Sequence, residues 1–297
     1  MQKYIHLILS YLILFTAIVF NPFGSNPFEL IKTQYFIIII STLIIILLLN
    51  FLMKGKLVLR VNKSVLIFLS IWGLSLIIST LFSIAPELSF WGSYSRFQGL
   101  LSHIHYIFLF LIFYQLFDNT KKIEVFLKAL ITIGLIVSLH AILQKFGILI
   151  FSQEAMNQFL NRSYSTFGHP NFLGQFLILP IFSSLYFISK SSNKILRFLF
   201  LLILIGGLFT TENRASILGV LFGIFLLTLI NKKVKKSYKV ILSIFLVCIF
   251  ALFVTYFAPS SRSIMTRFYL WSNSLDLINN KNPLYFIVGF FLDFKNE

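Results

Sequence analysis

Chemistry has few places to reside in this sequence. Of its seven arginines, five (Arg96, Arg162, Arg214, Arg262 and Arg267) stand in or beside segments rich in Gly, Pro, Asn, Ser and aromatic residues. A guanidinium keeps its charge at any working pH and grips carboxylate or phosphate with a planar fork. Each of the five reads either as part of an anion site or as an interfacial residue reaching for a headgroup. Their common placement at the ends of apolar runs favours the anion site.

The other reactive residue types narrow the chemistry by elimination. The sequence holds no Gly-x-x-x-x-Gly-Lys phosphate loop, no His-Glu-x-x-His, no Gly-x-Ser-x-Gly elbow and no cysteine pair. Its one cysteine, Cys248, lies in an apolar run and makes no internal disulfide. His103 and His105 are two apart, so a helix sends them to nearly opposite sides and no metal site is expected. His140 sits near one end of an apolar run, where a neutral, hydrogen-bonded structural role competes with a functional one. His169 stands in Gly-His-Pro-Asn, a turn followed by a helix start. The nine acids show no catalytic pair, so a two-carboxylate glycosidase is not supported. Neither metal nor cofactor is expected.

The elements that must position these residues cross a membrane. The 297 residues are 58% hydrophobic and only 11% charged, with a mean hydropathy of +0.91. Soluble domains carry about 25% charge. Nine apolar runs (about 5–20, 34–53, 64–82, 104–117, 126–143, 172–189, 195–209, 216–230 and 238–257) approach the roughly 20 residues that span a hydrocarbon core as a helix. The expected fold is all-α, a polytopic integral membrane protein. Residues 1–257 form its helical domain, and 258–297 begin an outer loop.

The net charge of +16 then becomes a topology signal rather than a sign of nucleic acid. With the N-terminus in the cytoplasm, the inner segments hold 16 basic residues and two acids, and the outer ones nine and seven. That is +14 inside against +2 outside, as the positive-inside rule requires. Fourteen of 18 lysines fall inside, while all five arginines named above fall outside. The outer loops are 21–32, 82–99, 144–171, 210–216 and the tail from Ala258. They carry the turn-forming and aromatic residues that shape a surface. Trp91 and Trp271 read as interfacial anchors or as sugar platforms.

These outer segments resemble the bacterial O-antigen ligase and polymerase family. The resemblance rests on Phe-Ser-x-x-Pro then Trp-Gly-Ser-Tyr-Ser-Arg-Phe-Gln-Gly-Leu within 82–100, and on Ser165-Thr-Phe-Gly-His-Pro-Asn-Phe-Leu-Gly-Gln. It rests also on Asn213-Arg214-Ala-Ser-Ile-Leu-Gly and on Arg267-Phe-Tyr-Leu-Trp271, followed by Asn282-Pro283 and Gly289. Pro27-Phe-Glu-Leu-Ile-Lys32 fits the entrance to the second helix. Five motifs in order cover nearly the whole chain.

The resemblance implies a GT-C-like glycosyltransferase of the bacterial cytoplasmic membrane, with its N-terminus inside and its C-terminal tail outside. Such proteins move a glycan from a polyprenyl diphosphate carrier to an acceptor glycan, lipid or protein, without metal or nucleotide. The implied diphosphate contacts here are Arg214, Arg267 and Arg96, in that order. Glu212 would orient or pair with Arg214, and His169 and Arg162 would support the site. Outer Phe and Tyr residues would bound a groove for the lipid tail. The family continues past its Arg-x-x-x-Trp segment with a histidine that activates the acceptor. No histidine follows His169 here, so the catalytic base is unassigned and the chain reads as C-terminally truncated. A transporter of lipid-linked saccharide and a non-catalytic subunit of a glycan-assembly complex are the competing readings.

Overall fold

The structure, a computed structural model, describes residues 2–21, 23, 26–54, 61–94, 96–148, 161–190, 193–230, 235, 266, 268–273 and 275–276. Those residues form helices and loops and no strand. The helices are α1 (Gln2–Phe15), α2 (Glu29–Lys54), α3 (Lys63–Leu81), α4 (Pro86–Trp91), α5 (Leu100–Leu116), α6 (Thr120–Lys145), α7 (Pro170–Lys190), α8 (Lys194–Thr210) and α9 (Arg214–Ile230). Residues 268–273 are also helical. Four stretches are long and apolar enough to cross a membrane: Glu29–Leu49, Lys63–Leu81, Thr120–Lys145 and Pro170–Lys190. Three shorter apolar helices, His6–Phe15, Leu100–Leu116 and Arg214–Ile230, accompany them.

Helix boundaries differ from the hydropathy reading in instructive ways. The first helix stops at Phe15 rather than near 20, because Thr16 Oγ1 turns back to the Ile13 carbonyl at 2.7 Å and the chain tightens there. The second begins at Glu29, five residues earlier than the apolar run, with Asn26 Oδ1 accepting its N–H at 3.0 Å. A short helix, α4, occupies part of the expected second loop. Proline at its first position costs no hydrogen bond there, and Gly92 ends it with a φ of 86°. The expected ninth span, 238–257, lies outside the described residues.

The chain divides into two compact units. One comprises Met1–Thr80 and Ala85–Ile217, the other Leu81–Ile84 and Leu218–Glu297. In the first, α6 is the central helix and packs against α1, α7 and α8, while α2 packs on α5. The buried face of α7 is Leu173, Leu177, Ile181, Ser184 and Phe187, spaced four, four, three and three residues apart, as a single helical stripe must be. In the second unit, Phe268 and Trp271 meet edge-on at 5.7 Å, and Trp271 is exposed.

Lipid tails are as apolar as leucine, so close van der Waals contact rather than burial from water must hold these helices together. Small residues permit it. A Cβ on Gly207 of α8 would fall 2.6 Å from the Ser138 Cβ of α6, and one on Gly134 of α6 would fall 2.7 Å from Pro180 of α7. Large side chains such as Ile38, Phe68, Ile71 and Leu74 stay exposed on α2 and α3, as a lipid-facing surface requires. Gly207→Leu is expected to cost about 1–3 kcal/mol by overpacking and to lower the thermal midpoint in detergent. Gly206→Ala meets only the mobile Ile142 Cδ1 at 3.3 Å and should leave that midpoint nearly unchanged. Equal effects would contradict this packing.

Candidate functional site

Segments assigned to one side of the membrane by charge alone meet at one end of the first unit. The segment 161–169 lies at their centre. Gln144, fully buried near the end of α6, accepts the N–H groups of Tyr164 and Ser165 on its Oε1 at 3.0 and 2.9 Å. Ser163 N–H donates to the Thr210 carbonyl at 3.0 Å, and Thr166 Oγ1 to the Ala17 carbonyl at 2.6 Å. His140, one turn before Gln144, hydrogen-bonds Ser165 Oγ at 3.0 Å. Tyr164 is fully buried and meets Phe28 edge-on, and burial pushes its phenol pKa up. Gly168 has φ +70°, and a Cβ there would fall 2.5 Å from the Phe28 ring. Ser165, Asn161, Glu212 and Phe97 also adopt left-handed backbone, which non-glycine residues hold only when their surroundings over-determine it.

Asn171 is the hub of the next layer. Its Oδ1 accepts Arg162 Nη2 at 2.9 Å, its carbonyl accepts Asn213 Nδ2 at 3.1 Å, and its N–H donates to His169 Nδ1 at 3.1 Å. Arg162 Nε donates to the Thr211 carbonyl at 2.9 Å, tying α7 to the α8–α9 turn. Asn213 caps α9, its Oδ1 facing Ser216 N–H at 3.4 Å and its Nδ2 donating to Ser216 Oγ at 2.7 Å. The cap fixes Arg214 as the first residue of α9. Side-chain atoms of Asn213 and Ser216 lie 2.8 to 3.0 Å from where a Gly174 Cβ would stand.

A cavity of about 360 Å³ opens beside this network. Its apolar wall comes from Ile13, Leu14, Phe167, Phe172 and Phe176; its polar lining includes Glu29, Lys32, Arg96 and Gln98. Lys32 Nζ donates to the Ala17 carbonyl at 3.1 Å and lies 4.4 Å over the Phe167 ring. Arg96 lies 4.8 Å over the Phe172 ring. Glu29 is within range of both charges. Asn26 Nδ2 donates to the Tyr94 carbonyl at 2.8 Å while its Oδ1 caps α2. One asparagine thus joins the loop bearing Arg96 to the helix bearing Glu29 and Lys32. A carbonyl at the C-terminal end of α1 and a π-face are weak partners for an ammonium, and the two cations Lys32 and Arg96 outnumber the one carboxylate, Glu29, in the lining.

The residues singled out from sequence fall into place unequally. Arg96 lines the cavity. Arg162 and His169 join through Asn171, and Arg214 is near enough for its charge to act on Arg162. Glu212 pairs with Lys145 at 2.8 Å, a partner that sequence reasoning did not name. Arg267 and Arg262 lie outside the described residues. His105 is held by the Leu101 carbonyl and Ser41 Oγ, at 2.7 and 3.0 Å, and His103 by the Gly99 carbonyl at 2.9 Å. Sequence reasoning missed Lys32, Gln144, Asn171 and Asn26. A lysine in the first turn of a span was the available signal for Lys32, and a glutamine amid apolar helix for Gln144. Among the described residues no group of three or more His, Cys, Asp or Glu could hold a metal.

The fold and its apolar helices define an integral membrane protein of helical type, with cationic and aromatic groups gathered at one end. Residues 199–295 match the family model described as O-antigen ligase, so this part of the chain is similar to that family. The match includes Asn213–Gly219 and Arg267–Trp271; the motifs at 82–100 and 165–175 lie before it. No curated protein and no solved structure matches the chain.

His169 offers a test of the network. Burial first, then the charges of Arg162 and Arg96, hold its pKa below the ordinary 6.5. Its Nδ1 accepts a hydrogen bond, which also requires the neutral ring. The unfolded chain takes up this proton near 6.5 and the folded one resists it. Stability therefore falls as pH drops below about 6.5, until the folded pKa is passed. Arg162→Gln should move the His169 midpoint, followed by NMR of labelled histidine, towards 6.5. An unmoved midpoint would show that Arg162 does not act on His169.

Proposed function

We propose that the chain transfers or polymerises glycan from a polyprenyl diphosphate carrier on the outer face of the cytoplasmic membrane. The observation that carries this reading is the cavity, which joins an aromatic wall to two cations, Lys32 and Arg96. An isoprenoid tail suits the Phe167, Phe172 and Phe176 wall, and a diphosphate suits the cations. The volume is in the range of small-molecule sites. Integral membrane character and the O-antigen ligase match support the same reading.

In this reaction an acceptor hydroxyl oxygen attacks the anomeric carbon of the carried sugar. A new glycosidic C–O bond forms, the bond to the diphosphate oxygen breaks, and the acceptor proton leaves with a base. Negative charge grows on the departing lipid diphosphate. Cations already in place stabilise that charge without reorganising, and more strongly where water is scarce. Lys32 and Arg96 take this role at the cavity. Arg214, set at the head of α9 by the Asn213 cap, takes it on the neighbouring rim, where the helix N-terminus adds partial positive charge. Arg162 holds the rim in shape through Thr211 and Asn171.

Chromosomal Lys32→Met and Arg96→Gln strains provide the test, with surface glycan read by gel mobility and the protein by membrane abundance. Each variant should reduce transfer by roughly 10²-fold, the usual loss when one transition-state donor is removed, at unchanged abundance. Wild-type glycan from both strains would overturn the assignment of this cavity.

A further inference from the structure

The opposite end of α6, α7 and α8 carries a second cationic site that the transfer reaction does not use. Phe187, buried on α7, has Lys128 Nζ of α6 at 5.5 Å from its ring centroid and the Arg197 Cζ of α8 also at 5.5 Å. Two charges tied to one ring stand no more than 11 Å apart, twice that 5.5 Å distance. Lys121, Lys122, Lys190 and Lys194 flank them at the helix ends. Two acids are present, and each is paired: Asp118 with Lys122 at 2.7 Å, and Glu124 with Lys190 at 2.7 Å. Glu124 also accepts the Tyr186 hydroxyl at 2.9 Å, and its charge reaches Lys128 without an ion pair. Among the described residues, Lys121, Lys128, Lys194 and Arg197 form no ion pair.

Membrane orientation explains basic residues at this end, but it does not require them to converge. A lysine that only sets topology can stand anywhere along an inner loop. Here Lys128 lies two turns inside α6, away from the loop, and its ammonium and the Arg197 guanidinium of α8 are each 5.5 Å from the centroid of one ring. The N-termini of α6 and α8 lie at this end together with the C-terminus of α7, so the helix dipoles partly offset one another and the side-chain cations carry the charge of the site. Their capping asparagines, Asn119 and Asn193, already accept the N–H groups of Lys122 and Leu196. Positive charge at the ends of packed helices, with an aromatic ring beneath it, suits a phosphate monoester or diester attached to acyl chains.

We propose that Lys128, Arg197 and Phe187 form a binding site for the headgroup of an anionic phospholipid of the inner leaflet. The lipid phosphate sits between the two cations, and its acyl chains run along the exposed apolar surface of the helices. The lipid clamps α6, α7 and α8 together at the end far from the cavity.

Thermal midpoints of the full chain in detergent test the site, with phosphatidylglycerol, phosphatidylcholine or inorganic phosphate added. Phosphatidylglycerol should raise the midpoint and the other two should not. The double variant Lys128→Gln/Arg197→Gln should bind phosphatidylglycerol roughly 10-fold or more weakly. Lys121→Gln/Lys194→Gln should bind it nearly as the wild type does. Equal losses in the two double variants would replace the site with diffuse charge. A shift from phosphate alone would replace the lipid with a free ion, and an equal shift from phosphatidylcholine would remove the anion requirement. If Lys128→Gln/Arg197→Gln does not fold, native mass spectrometry of the wild type decides. One retained phosphatidylglycerol supports the site, and none overturns it.

Discussion

The candidate site depends on how a polar loop is held at the end of an apolar bundle. Backbone N–H groups buried away from water must find partners, and the segment 161–169 enters a region with little water to offer. Gln144 answers this from α6 by taking two consecutive N–H groups on one oxygen. An apolar residue in its place would leave both donors without acceptors, at a cost of about 1–3 kcal/mol each. From that anchor the segment reaches α1 through Thr166, the α8–α9 turn through Ser163, and α2 through Gly168 and Phe28. The rim and the cavity are both built on its flanks.

This arrangement relates the two halves of the proposed chemistry. Phe167 supplies the ring under Lys32, and His169 begins the turn that presents Phe172 to Arg96. Two residues apart in sequence, His169 and Asn171 connect that wall to Arg162 and, through Asn213, to the head of α9. Lys32 reaches the network through the Ala17 carbonyl that Thr166 also uses, and Arg96 is held over the Phe172 ring that the same segment presents. Preorganisation of this sort is what a diphosphate leaving group requires, because donors that must first reorient give back much of their advantage.

Much of the architecture was legible in the sequence. Apolar runs located eight of the nine expected helices, with ends off by up to six residues; four stretches among them are long and apolar enough to cross a membrane, and the ninth expected span falls outside the described residues. Charge alone grouped 21–32, 82–99, 144–171 and 210–216, and residues of these four loops are in contact. Helix ends were less legible, because Thr16 and Asn26 set them through local hydrogen bonds that hydropathy does not register. Arginines were visible as residue types, but their partners were not. Arg162 was expected to support the site, and the partners that two of its nitrogens hold, a backbone carbonyl and an asparagine, were not visible in the sequence. Glu212 looked like a partner of its sequence neighbour, whereas Lys145, 67 residues away, reaches it in space. Lys32 was passed over because a lysine at a span end ordinarily snorkels to water, and only folding shows its ammonium over Phe167.

The proposed function requires that the cavity hold a lipid diphosphate. Cross-linking with a photoreactive polyprenyl diphosphate, in membranes containing the chain, tests it most directly. Peptide mapping by mass spectrometry would locate the adducts. Adducts should fall on the Phe167–Phe176 segment and on α1 near Leu14, competed away by unlabelled carrier. Adducts confined to other helices, or unaffected by the competitor, would contradict it.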